Sequence, residues 1–213
     1  MPRLVASIFL IYAVASGAAN ALEMQFVPVE SAHQGAVIEY DEIWRQHGSS
    51  IVGALEEATG VVLSDEEIEA RVWEAVSKSG RQGEPIYLRA SYLEPTKKAT
   101  LVHELGHRYL HELNTPNPYE DIHYPLSLLL YRVWTDIWGS DFADSQVEVE
   151  KARSKRYDRA WRWVRSLSRQ ERESKWEAYI SGAARSSNKA VNATAKPAVC
   201  SGLAAHYRAG YTA

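Results

Sequence analysis

His103 and His107 stand four residues apart in the run ATLVHELGHRYLHEL, and Glu104 directly follows the first of them. On an α-helix, that spacing puts two side chains one turn apart on a single face, so both imidazoles can reach one ion. The Glu104 carboxylate sits beside the pair, within reach of a water on that ion. This is the arrangement of a zinc hydrolase: the ion brings a water's pKa down to about 7 and polarises a carbonyl, and a carboxylate takes the water's proton. The chemistry expected is amide hydrolysis, most simply of a peptide bond, with Glu104 as general base.

The elements that must position this set are mostly helical. A helix is expected from about Thr96 to Leu113, where Asn114, Pro116 and Pro118 stop it. Leu101, Val102, Leu105 and Leu110 can bury its other faces. Ahead of it PIYLRASYL alternates and is rich in Tyr, Leu and Ile, the pattern of a strand. Further upstream, Val37, Ile38, Ile43, Trp44, Ile51, Val52 and Leu55 line one side of a helix ending at Gly60. Ser64 and Glu67 form a capping box for a second helix, with Ile68, Val72, Trp73 and Val76, ending near Gly80. After the prolines, YPLSLLLYRVWTDIWG and SQVEVEKARSKRYDRAWRWVRSL read as two more helices. In the second of these, Val147, Glu150, Ser154, Tyr157, Trp161 and Val164 share a face.

The HELGH stretch resembles the active-site helix of the zincin metallopeptidases, whose motif is HExxH. The likeness is direct over about twenty residues and extends by layout over roughly residues 85–165. It implies a catalytic zinc held by His103 and His107, with Glu104 as general base. It also implies an α+β fold, mostly helical, with an active-site helix, a small sheet or edge strand, and a downstream helix bearing a glutamate. The metzincin branch continues HExxHxxGxxH, but Leu110 and Leu113 occupy its glycine and third-histidine positions here. His111 lies about 12 Å along the helix from His103 at about 1.5 Å per residue, too far to share its ion. The gluzincin branch takes a glutamate from a later helix. Glu150 is the third ligand expected on that pattern, because a carboxylate on an apolar face needs a partner; Glu148 is the alternative. HELGHRYLH followed by E-x-E-x-A is also similar to the small antirepressor-type peptidases, which are cytosolic, so the branch stays open.

Other polar groups fall near the expected cleft. His123, in the loop PNPYEDIHYP, is read either as a donor to a transition-state oxyanion or as a loop residue. Tyr124 and Tyr131 are read as packed rather than catalytic. Asp121 or Asp136 could orient a ligating histidine through its second ring nitrogen.

The chain of 213 residues is 46% hydrophobic and 24% charged, enough for one domain with a core and a tail. Its formal net charge of −3 gives no basic surface to attract nucleic acid. Residues 1–21 carry Arg3, an apolar run from Leu4 to Val14, and small residues at Ala19 and Ala21, the pattern of a secretory signal cleaved after Ala21. That run falls short of the ~20 residues of a spanning helix, so no membrane span is expected after cleavage. Residues 22–185 are expected to form the zincin-like domain, and 186–213 a loosely ordered tail. Cys200 is the only cysteine, which excludes an internal disulfide. The reading is an exported zinc metallopeptidase, periplasmic or extracellular, acting on a peptide or protein. The alternative is an inactive zincin-like protein exported for binding or assembly, with its seven tryptophans as a candidate surface; a metal-free helical scaffold is a third.

Overall fold

A computed structural model describes residues 22–63 and 67–194, with side chains as far as residue 182. The expected signal and most of the expected tail therefore lie outside the described residues. The chain is mostly helical with one small sheet: β1 (Glu23–Pro28), α1 (Gln34–Thr59), β2 (Glu67–Trp73), β3 (Ile86–Arg89), α2 (Glu94–Leu113), α3 (His123–Trp138), α4 (Ser140–Lys151), α5 (Lys155–Ser166) and α6 (Arg169–Thr194). Residues 186–194, expected to begin the tail, continue the backbone of α6.

The three strands run parallel in the order β1-β2-β3, so β2 is central. This corrects the expected helix after Ser64. Ile68 and Val72 are four apart, a spacing shared by one face of a helix and one face of a strand. Ala70 between them decides the matter: Ile68, Ala70 and Val72 are all buried while Glu67 and Arg71 are exposed, a period of two. β1 was not expected at all; Met24 and Phe26 supply its buried face. β3 falls inside the expected strand. Beyond it, Lys78 pairs antiparallel with Tyr87, both backbone bonds being made at 3.0 and 2.8 Å. A short segment around Lys78 thus borders the sheet on the β3 side.

Helix α2 starts two residues earlier than expected, with a proline in its first turn, where a missing N–H costs nothing. It ends at Asn114, whose backbone is left-handed (φ 46°). It is buried on nearly every side: Ala99, Leu101, Val102, Leu105 and Tyr109 have no exposed surface. Such a helix belongs in the middle of a domain, and α2 packs against α1, β3, α3 and α4. Gly106 permits the contact with α3, since a Cβ there would lie 2.9 Å from the Leu126 side chain. The long helix expected over 145–167 is two helices: Ser154 does not continue a face but caps α5, accepting the Tyr157 N–H at 3.2 Å. The stacked pair Trp134 and Trp161, ring centres 5.5 Å apart and fully buried, locks α5 onto α3. Among the described residues no helix is long and apolar enough to cross a membrane.

Candidate metal centre

His103, His107 and His123 each offer a ring nitrogen, and the three atoms lie within 4.8 Å of one another. The first two project from α2 one turn apart, with ring centres 5.1 Å apart, as their spacing predicts. His123 is the first residue of α3 and comes from across the cleft, its ring 5.9 Å from His103 and 5.3 Å from His107. His103 and His123 are buried.

Two of these rings are held by carboxylates. Nδ1 of His103 lies 2.7 Å from Oε1 of Glu150, and Nδ1 of His123 lies 2.7 Å from Oδ1 of Asp121. Each pairing uses the outer nitrogen and leaves Nε2 for the centre of the cluster, the usual way a histidine is prepared to bind a metal. Asp121 also accepts the backbone N–H of His123 at 2.9 Å and pairs with Arg156. Glu150 accepts the indole N–H of Trp161 on Oε2 at 2.8 Å, and Arg153 stands 3.5 Å from Oε1.

Glu150 is therefore buried on the expected face but placed differently from the third-ligand expectation. Its two oxygens meet His103 and Trp161, behind the imidazole, and the third ring in reach of an ion is His123. On its apolar helix face Glu150 requires a partner, and the partner it takes is the His103 ring. Glu148 is exposed and paired with Lys151 at 2.9 Å. His111 is exposed on the cavity rim, away from the cluster. Asp121 does orient a histidine; Asp136 instead lies 3.7 Å from Arg132 on the surface. Tyr124 packs on Tyr119 and Trp163, and Tyr131 bonds Asp144 at 2.9 Å. The sequence did hold a sign of His123: an aspartate two residues earlier, at the start of an apolar helix.

A cavity of about 510 Å³ opens over the cluster, bordered by Glu104, His107, His123, Tyr157 and the Ser77–Ser79 segment. Burial pushes the Glu104 carboxyl up to about 7; the Glu150 charge adds to this, while His103, Arg153 and a backbone hydrogen bond from Ser79 oppose it. Burial, with His103 and His123 nearby, holds His107 well below its ordinary value, so its ring is a neutral donor. Burial also lowers His123, against the pull of Asp121. For His103, burial works downward but the Glu150 and Glu104 carboxylates together more than reverse it, so the ring takes up a proton more readily than a free imidazole. The Tyr157 ring centre is 4.5 Å from that of His123 and 5.6 Å from that of His103. Burial pushes its phenol up to about 12, so it keeps its proton through the neutral range.

Three imidazoles, two of them carboxylate-oriented, suit a divalent ion of borderline softness such as zinc. The donor set and the small-sheet, mostly helical frame are consistent with a zincin-like metal site. No family model matches the chain, and neither a curated protein nor a solved structure does.

Proposed function

We propose that this protein is an exported zinc-dependent hydrolase of peptide bonds, with His103, His107 and His123 holding the ion and Glu104 acting as general base. The observation that carries the reading is the convergence of three ring nitrogens within 4.8 Å on a cavity that also exposes Glu104. When bound, the ion supplies an acidic water and a polarised carbonyl.

The chain's own residues supply the rest. Glu104, near neutrality in its pKa, takes the proton of the attacking water and delivers it to the leaving nitrogen. The Ser79 backbone holds that carboxylate in place. Tyr157 retains a hydroxyl proton beside the cluster and can donate it to the developing oxyanion. A peptide is favoured over other amides by the Ser77–Ser79 edge. Lys78 turns both its backbone groups to Tyr87, and in an antiparallel pair the neighbouring residues turn theirs the other way. The Ser77 backbone and the Ser79 carbonyl therefore face the cavity, where an extended substrate can pair with them. Export rests on the signal pattern of residues 1–21.

The test is elemental analysis of purified protein made with zinc present, together with cleavage of a mixed peptide library. One zinc per chain is expected, retained by Glu104→Gln, which loses cleavage by about 10²–10⁴-fold. His123→Ala should lose the metal. A zinc-free folded protein would sink the reading; equal cleavage by wild type and Glu104→Gln would remove Glu104 as base. Zinc without turnover on any peptide would favour a binding role.

A further inference from the structure

The segment from Glu150 to Tyr157, at the junction of α4 and α5, contributes four side chains to the site or its supports: Glu150, Arg153, Arg156 and Tyr157. Three of them have roles assigned by their contacts above or in the proposed reaction. Arg153 is the most enclosed cation of the group, with 19% of its side chain exposed against 55% for Arg156.

Its three contacts fix it in one pose. Nη2 donates to Oγ1 of Thr100 at 3.0 Å, Nη1 stands 3.5 Å from Oε1 of Glu150, and the guanidinium plane covers the Tyr92 ring with its carbon 4.8 Å from the ring centre. Thr100 lies one turn before His103 on α2. Arg153 therefore spans from the helix that presents His103 to the carboxylate that orients it. Oε1, the atom it faces, is the same atom that meets Nδ1 of His103. A planar fork that is hydrogen-bonded and stacked at once loses little further freedom in holding its partner.

We propose that Arg153 is a positioning residue for metal binding, holding Glu150 at the one angle that keeps Nε2 of His103 turned to the cluster. This rests on the metal-centre reading above. Asp121 and Arg156 do the same for His123 in a more open setting, where solvent weakens the pair.

The experiment is zinc affinity by competition with a chromogenic chelator, using wild type, Glu150→Gln, Arg153→Gln, Arg153→Lys and the double variant Glu150→Gln/Arg153→Gln. Glu150→Gln should lose about 10–100-fold, as loss of a histidine-orienting carboxylate does. Arg153→Gln should lose about 3–10-fold, within the coupling range of groups in one network. Arg153→Lys, which keeps the charge, should recover part of that loss. The double variant should bind no more weakly than Glu150→Gln alone, because Arg153 acts only through Glu150. A second readout is independent of zinc: the downfield proton resonance of the His103 Nδ1–H in chelator-treated protein, sharp in wild type and broadened or lost in the Arg153 variants. Losses that add in the double variant, or wild-type affinity in Arg153→Gln, would overturn the proposal. Should Arg153→Gln not fold, an unchanged His103 proton in Arg153→Lys overturns it, and a broadened one supports it. A wild type that takes no zinc defeats the metal reading, while the His103 proton still decides whether Arg153 positions the ring.

Discussion

Glu104 and Glu150 are both almost wholly enclosed, at 4% and 2% exposure, and both lie beside His103, yet their carboxyls shift in opposite directions. Around Glu104, at the cavity wall, burial dominates and the carboxyl rises to about 7. Around Glu150, in the joint of α2, α4 and α5, burial pushes upward as well. There the His103 ring, Arg153 and the Trp161 N–H together hold the carboxyl below its ordinary value. Depth does not distinguish the two; partners do. A buried carboxylate with two hydrogen bonds and a guanidinium beside it is fixed and charged, suited to holding another group still. One with little more than a backbone N–H is free to exchange a proton near neutrality, as a base must.

The comparison is most severely tested by removing Glu150. Breaking a buried ion pair leaves the other charge unpaired, so Glu150→Ala should cost about 3–5 kcal/mol of stability, measured by urea unfolding of chelator-treated protein. Glu104→Gln in the same assay at pH 8 should not destabilise. A small loss in Glu150→Ala would mean that the joint is held by apolar packing alone.

The next effect is in the pH dependence. A carboxyl raised from 4.5 to about 7 keeps in the folded state a proton that the unfolded chain has released. Glu104 therefore lowers stability progressively as pH rises from about 4.5 to 7, by about 3 kcal/mol at about 1.4 kcal/mol per pKa unit. Glu104→Gln should flatten that slope in metal-free protein. Glu150 has the opposite sign: its carboxyl is lowered, so its contribution is present above about pH 4.5 and is lost on further acidification. Unfolding curves across about pH 2 to 8 for wild type and both Gln variants would separate the two limbs. A wild-type slope that Glu104→Gln leaves unchanged would contradict the assignment.

A smaller loss follows from taking one donor from Glu150. Trp161→Phe keeps most of the ring stacked on Trp134 but removes the N–H on Oε2, leaving a buried carboxylate oxygen unsatisfied at about 1–3 kcal/mol. The smallest is expected at the outer pair: Arg156 is more than half exposed, so Arg156→Gln should change stability by no more than about 1 kcal/mol. Thermal melts of these two variants, side by side, rank the buried against the open support. An Arg156→Gln effect as large as that of Trp161→Phe would show that exposure is not what separates them.

Positions that follow from chain-local spacing were legible in advance. The i,i+4 histidines, the glutamate between them, the apolar side of α1 apart from Ile38, which is exposed, the Gly60 and Asn114 stops and the β3 strand all depend on periods of 3.6 or 2 and on turn chemistry, which the sequence states directly. The sequence also required a partner for Glu150, since a carboxylate on an apolar face is costly without one. Which partner it took was decided only when α4 and α5 docked on α2. That docking set Oε1 against His103 and Oε2 against Trp161, while the loop before α3 brought His123, not Glu150, to the open side of the cluster. The strand at β2 was misjudged for the same reason: Ile68 and Val72 fit either period, and only pairing with β1 and β3 on both sides selects the extended form. Contacts between residues tens of positions apart arise from how whole elements pack, and no window of sequence contains them.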